Sequence, residues 1–334
     1  MRRFGSATQL AAPVALLALV GLAGSFTSRS VQFQFRFALV MAAIVIALYV
    51  FIGNSGVVSF GHVSFVAVGA FAAGLTTVPE ALKLSLSPDL FPIIASAEVG
   101  NAMSLVLAAA VGGLFAFLVG VALMRLSGLA AGIATFAVLV ITNNVLRNWE
   151  AIGPGARTLS LVPESTSFMQ ATVGVIAVAI LAFLYQRSRW GRVLRASSED
   201  PYAAQGSGVN IYRQRIVAFA LSGALAGFAG GLFVHLLGSI TTQQVYLDLA
   251  FLTLAMLVIG GVGSLWGAVV GALLVSGVNS LLLSAEDGIG LGFVDVDVPT
   301  GTRLVTLGAV MALIMLFRPS GITGGREVRL PGLR

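Results

Sequence analysis

Two groups of side chains in this sequence have types and spacing suited to chemistry, and in neither case is it bond-breaking chemistry. The first is Asn54, Ser55, Ser59, His62 and Ser64, which interrupt an otherwise apolar run in GNSGVVSFGHVSF, with Thr142, Asn143 and Asn144 forming a second polar cluster further on, at the end of the fifth span. Uncharged donors and acceptors of this kind line a polar path or tie helices together, because a polar group at membrane depth is costly unless partnered or facing water. The second is RWGRVLRASSEDPYAAQGSGVNIYRQR, from Arg189 to Arg215, where five arginines and two carboxylates crowd into a chain that is greasy on both sides. Its chemistry is recognition at a surface.

Several function classes are excluded at once. The chain has no cysteine, which removes disulfides, thiol nucleophiles and thiolate metal sites. Its two histidines, His62 and His235, are too few for a histidine-based zinc cage, and no metal site is expected. An intramembrane enzyme needs a clustered His, Asp or Glu set inside an apolar run, and none is visible. A phosphate-binding loop needs a glycine run followed by Lys and then Ser or Thr. The single lysine, Lys83, sits in ALKLSLS with no such glycines before it. Any ATP-driven work must come from another chain, so no cofactor is expected on this one.

The elements that must hold these residues are apolar. Of 334 residues, 57% are hydrophobic and 10% charged, and the mean hydropathy is +0.99; a soluble domain carries about 25% charged residues. Apolar stretches repeatedly approach the roughly 20 residues that cross a bilayer core. The alternation that would build a membrane β-barrel is missing. The expected fold is all-α: a polytopic integral membrane bundle, one transmembrane domain over residues 1–334. Hydropathy places about ten spans, at roughly 10–26, 37–52, 56–78, 102–124, 128–146, 170–186, 214–238, 249–262, 264–283 and 303–317. The N-terminal MRRFGSATQLAAPVALLALVGLAGSF also has the shape of a secretory signal, but with so many spans following, an uncleaved first span is preferred.

The net charge of +6 comes from 18 arginines and one lysine against 13 acidic residues. The basic residues stand between apolar runs, as cytoplasmic loop anchors do, so membrane lipid and not nucleic acid is the expected partner of this charge. With the N-terminus inside, Arg2, Arg3, Arg125, the whole 187–215 segment, Arg318, Arg326, Arg329 and Arg334 fall in the cytoplasm. The loop from Pro79 to Asn101, and an acidic loop with Glu286, Asp287, Asp295 and Asp297, fall outside. This is a positive-inside arrangement in a cell (inner) membrane with both termini cytoplasmic; Arg29 and Arg36 are the exceptions. Arg147, Trp149 and Trp190 read as interface anchors, and His235 and Asp248 as interfacial groups.

Glycine, at 40 residues, is patterned: Gly223, Gly227 and Gly231 share one helix face, as do Gly267 and Gly271. In lipid, small residues at this spacing let backbones approach closely. Packing within one bundle is the preferred reading, with a homodimer face as the alternative. GVVSFGHVSF and GVGSLWGAVV both begin Gly-x-x-Ser, a faint sign of parallel internal repeats.

Within the arginine-flanked segment, SSEDPYAAQGSG has the grammar of a short capped helix. Ser198, Glu199 or Asp200 can cap it, Pro201 fits the first position, Tyr202 to Gln205 make the turn, and Gly206 or Gly208 ends it. Too short to span a membrane, it belongs on the cytoplasmic surface, either docking into a soluble partner or serving as a solvated loop that fixes topology.

GRVLRASSEDPYAAQGSGVN resembles the cytoplasmic coupling loop of the branched-chain amino acid ABC transporter permeases, the LivH/LivM type, matching at Gly191, Arg192, Arg195, Ala196, Glu199, Asp200, Ala203, Ala204, Gly208, Val209 and Asn210. GNSGVVSFGHVSFVAVGA is similar to the family's Gly-x-x-Gly-x-x-Ser-x-Gly-His-x-x-Phe segment, and GGVGSLWGA to its Gly-Gly-x-Gly-(Ser/Thr)-x-x-Gly stretch. These motifs span roughly residues 40–320 in order, nearer the LivM subtype. Ser197 and Ser198 stand where the family often has a basic residue. The resemblance implies a permease subunit importing branched-chain or related amino acids. It implies a second permease chain (read as a heterodimer), two cytoplasmic ATPases that hold ATP and magnesium, and a periplasmic or lipid-anchored binding protein. It also implies ATPase coupling through Arg192, Arg195, Glu199, Asp200, Pro201, Ala203, Ala204 and Gly208. The candidate translocation path is Asn54, Ser55, Ser59, His62, Ser64, Asn143 and Asn144.

A self-sufficient secondary carrier or channel is the competing class. Such proteins place partnered carboxylates inside their spans, whereas here Asp248 alone stands near one.

Overall fold

The structure is a computed structural model that describes residues 4–286, 289–290, 295–296, 302–318 and 320–327. Arg2, Arg3, Arg329, Arg334, Asp287 and Asp297 lie outside the described residues. Lipid leaves backbone groups no partner but each other, so the apolar runs close their hydrogen bonds within helices. In chain order these are α1 (Phe4–Ser25), α2 (Arg29–Ser55), α3 (His62–Thr77), α4 (Glu80–Leu86), α5 (Pro92–Ala95), α6 (Asn101–Leu123) and α7 (Gly128–Asn148). After a 3₁₀ turn (Glu150–Ile152) come α8 (Phe168–Arg187), α9 (Arg189–Glu199), α10 (Pro201–Gly206), α11 (Ile211–Leu237), α12 (Leu247–Gly260), α13 (Leu265–Glu286) and α14 (Thr302–Phe317). A two-residue antiparallel pairing, Ile289–Gly290 with Asp295–Val296, lies between the last two.

Among the described residues six helices (α2, α6, α7, α8, α11 and α13) are long and apolar enough to cross a membrane, and α1, α3 and α12 are shorter apolar helices. With α14, every one of the ten expected stretches holds a helix. The third differs from expectation. Gly56, at φ 67°, ends α2 in the left-handed conformation, residues 56–61 are not helical, and α3 begins only at His62. Its 16 residues rise about 24 Å, short of a roughly 30 Å bilayer core.

The centre of the bundle is α2 and α11, with α3 and α6 against α11 and with α8 and α13 against α2. Glycines make the closest approaches. A Cβ at Gly227 would strike the Ala108 carbonyl, one at Gly223 the Ala116 side chain, and one at Gly231 would lie 2.8 Å from Leu105. That face is therefore filled by α6 of the same chain. Gly267 and Gly271 likewise face Gly260 and Met256 of α12. One of the two exceptions to the charge pattern is also accommodated: Arg36 lies in α2, donates to the Thr166 carbonyl at 3.1 Å and stacks over Phe168.

Candidate functional site

The arginine-flanked segment folds as two helices set at corners. Ser188 both ends α8 and caps α9, its Oγ accepting from the Gly191 amide at 3.2 Å. The corner is so tight that a Cβ at Gly191 would collide with the Tyr185 carbonyl. Asp200 then caps α10, Oδ1 accepting from the Tyr202 and Ala203 amides at 3.0 Å each, with Pro201 in the first turn. Of the three capping residues the sequence offered, the structure uses Asp200. Gly208, at φ 80°, turns the chain toward α11, where Asn210 caps by accepting from the Arg213 amide. α9 is not among the elements expected from sequence; its buried residues are Gly191, Leu194 and Ser197, spaced by three along one face, with the Ser197 hydroxyl donating to the Leu194 carbonyl.

The anchorage of α9 to the bundle is polar. Arg195 Nη2 donates to Tyr49 Oη and to Asn54 Oδ1, each at 3.0 Å. Both acceptors belong to α2 and both are fully buried. Tyr49 Oη in turn donates to Gln186 Oε1 at 2.6 Å, and Gln186 Nε2 donates to Glu327 Oε1 at 3.5 Å. The Glu327 carboxylate accepts from the Leu265 and Trp266 amides at 2.9 and 3.2 Å, holding negative charge at the positive end of α13. The 322–323 backbone is bonded to the carbonyls of Ile259 and Gly260 at the end of α12. One hydrogen-bonded chain thus links α9, α2, α8, the C-terminal segment and α13. Gly53 and Gly56 pack here as well, beside Val262 and Ser198 respectively, so the two Gly-x-x-Ser loops meet near α9. Glu199, Pro201, Ala203 and Arg192 are exposed, Ala204 is half-buried, and Tyr202 is 86% exposed.

Of the expected path residues Asn54, Ser55, Ser59, His62 and Ser64 are buried, Asn143 is half-buried and Asn144 is exposed. His62 Nδ1 meets Ser59 Oγ at 2.8 Å, and its ring is enclosed by Phe51, Phe65 and Phe219 at 5.2–5.5 Å. Ser55 Oγ accepts from the Val57 amide, and Ser64 is fully buried with its hydroxyl unpartnered. Asn143 donates to the Thr242 carbonyl at 2.9 Å, and Asn144 bonds back to Val140 on its own helix.

A cleft of about 660 Å³ lies between α3, α6 and α7, lined by Phe71, Leu75, Val111, Phe115, Thr142 and Val145 among others. Thr142 Oγ1 is buried there without a partner. Residues Ile93, Ile94 and Ile152 also line it. Lys83 fixes that end: its buried ammonium donates to the Ile94 carbonyl at 3.1 Å and to that of Ala97, while the Phe91 amide donates to Ala151. Burial lowers the Lys83 pKa, with Glu98 and Glu80 partly opposing it. The cleft was not legible in sequence, because its lining is as aliphatic as the core.

Fold and site together define a multi-pass helical membrane protein with an amphipathic, capped element attached to its core. The chain belongs to the family described as branched-chain amino acid transport system permease component, whose profile matches residues 30–316. It is similar to the high-affinity branched-chain amino acid transport system permease protein LivM of Escherichia coli, 24% identical over 311 residues, covering 83% of this chain and 66% of the relative. A probable LivH permease of Methanocaldococcus jannaschii is 29% identical over 160 residues, 47% of this chain and 48% of that one. The fructose import permease protein FrcC of Rhizobium meliloti is 27% identical, covering 64% and 67%. The chain thus spans just under two thirds of the length of the LivM relatives it matches. No solved structure gives a significant match.

Proposed function

We propose that the chain is the membrane-spanning permease subunit of an ATP-binding-cassette importer, with α9 and α10 as the element that a cytoplasmic ATPase grips. The observation that carries this reading is the anchorage of α9. A loop that merely fixes topology needs no buried contact with the core, whereas Arg195 reaches two fully buried groups on α2. The exposed outer side, with Tyr202 and Ala203 on a rigid capped turn, suits insertion into a cleft on a soluble partner. On this reading ATP and magnesium bind the partner ATPases, a second permease chain completes the pathway, and a soluble binding protein delivers the solute. Arg125, Arg187, Arg189, Arg192, Arg195, Arg213, Arg215, Arg318 and Arg326 then lie in the cytoplasm, against Arg29, Arg147 and Arg157 outside with Glu80, Asp89 and Glu98, an excess in the direction of the positive-inside rule. No Asp or Glu is buried among the described residues, which disfavours an ion-coupled carrier. The largely apolar lining of the 660 Å³ cleft supports a solute with an apolar side chain, and so a branched-chain or related amino acid.

The test is uptake into vesicles containing this chain with its partner ATPases and binding protein. Ala203→Glu places a charge on the exposed outer turn, where no fold contact is lost; ATP-dependent uptake should stop while the protein still accumulates in the membrane. Uptake that continues in that variant, or uptake by vesicles holding this chain alone, would overturn the proposal.

A further inference from the structure

Beside the anchorage lies a polar cavity of about 750 Å³ lined by the side chains of Arg187, Arg192, Arg195 and Arg326 together with Gln186 and Glu327. Four guanidinium groups share it with one carboxylate. The hydrogen-bond partners of three of them are neutral: Arg187 donates to Gln9 Oε1 at 2.6 Å, Arg192 to the Ser188 carbonyl at 3.4 Å, and Arg195 to Tyr49 and Asn54. Glu327, the one acid among the described lining residues, is already engaged by the Leu265 and Trp266 amides. Four cations facing one cavity with a single carboxylate among its described lining residues repel one another, and the arrangement is relieved when an anion with several acceptor oxygens enters. Guanidinium forks match phosphate geometry in pairs.

The position of the cavity selects the source of that phosphate. Gln9 of α1 also lines it, and Arg187 stands in the last turn of α8, so it sits where these two packed helices leave the apolar layer. Leu184, one turn from Arg187, is 57% exposed, and Leu181, Leu19 and Leu22 continue the exposed apolar surface along α8 and α1. A headgroup in the cavity would place its acyl chains against these leucines. Basic pockets between helices on the cytoplasmic side are of the type that hold anionic headgroups. We propose that this cavity binds the phosphate of an anionic phospholipid from the cytoplasmic leaflet, bridging the C-terminal segment, α8 and α9 at the base of the coupling element. The inference rests on the reading that this end of the chain is cytoplasmic.

The experiment titrates the purified full-length chain in neutral detergent with dioleoyl phosphatidylglycerol, dioleoyl phosphatidylcholine or inorganic phosphate, following thermal unfolding and retained lipid by native mass spectrometry. The wild type should show a saturable shift with phosphatidylglycerol alone. Arg192→Gln with Arg326→Gln should weaken that midpoint by about thirtyfold, the factor implied by the loss of two arginines at a lipid surface. Arg189→Gln with Arg213→Gln, an equal loss of charge outside the cavity, should leave it unchanged. Equal shifts with phosphatidylcholine, or equal loss in both double variants, would overturn the site. Inorganic phosphate matching phosphatidylglycerol at the same concentration would overturn the lipid as its source. So would lipid excluded once the partner ATPases are bound, because the cavity would then belong to a protein surface. Orientation is read separately: Arg192→Cys supplies the only thiol in the chain. Its labelling from the outside of intact cells would overturn the cytoplasmic reading without touching the detergent result.

Discussion

Arg195→Met isolates the anchorage of the coupling element. The substitution keeps an unbranched side chain of similar reach but removes the donor shared by Tyr49 Oη and Asn54 Oδ1. Hydrogen bonds to a charged donor are worth about 1.5–3 kcal/mol each, and a buried acceptor left without a donor costs about 1–3 kcal/mol. Tyr49 still donates to Gln186, so its loss is the smaller one. Asn54 Oδ1 is fully buried and has Arg195 as its hydrogen-bond donor, so it carries most of the penalty. Because the two bonds share one donor nitrogen they do not add, and a total of about 3 kcal/mol is reasonable. That is a little over a hundredfold in the ratio of docked to undocked α9. In vesicles reconstituted with the partner ATPases, solute moved per ATP hydrolysed should fall steeply while hydrolysis itself persists. The outer face of α10 is untouched, so the ATPase can still bind. Asn54→Leu in the same protein removes the stranded acceptor, and the double variant should recover part of the loss. A wild-type transport-to-hydrolysis ratio in Arg195→Met, or strictly additive losses in the double variant, would refute the role given to this contact.

Other expectations follow from the same geometry. Gly227→Val should lower the thermal midpoint of the purified chain, since its Cβ meets the Ala108 backbone and overpacking of this sort costs about 1–3 kcal/mol; Gly100→Ala, with open space around it, should not. His62→Leu should leave uptake near wild type and cost about 1 kcal/mol for the Ser59 contact, because the ring is buried in an aromatic pocket; loss of uptake in a stably folded variant would restore it to the path. Lys83 is the sole lysine, so a lysine-specific protease reports opening of the outer segment at one bond. Its pKa is depressed in the folded state, so between that value and the ordinary 10.5 the unfolded segment binds more protons and stability rises with pH. Cleavage at Lys83, normalised to a peptide substrate, should slow as pH climbs from neutrality toward 10, and a rate that rises instead would reverse the sign.

Hydropathy alone located the ten helices, because an apolar run in lipid has few options other than a helix. The cap at Asp200 followed from local grammar within three residues of Pro201. What sequence could not supply was anything joining distant segments. Glu327 meets the start of α13 about sixty residues earlier in the chain, and Tyr49 meets Arg195 across 146 residues. Neither Tyr49 nor Gln186 breaks an apolar pattern strongly enough to be noticed. The same blindness explains the path residues. Asn54, Ser59 and His62 stand out in sequence because polarity is expensive at depth, yet expense is met equally well by a partner or by water. Here Asn54 has Arg195, and His62 has Ser59. Of the second cluster, Asn143 has the Thr242 carbonyl, while Thr142 Oγ1 is left unpartnered beside the large cleft. Polarity in the sequence marks where a partner is needed, and only the fold shows whether the protein itself provides it.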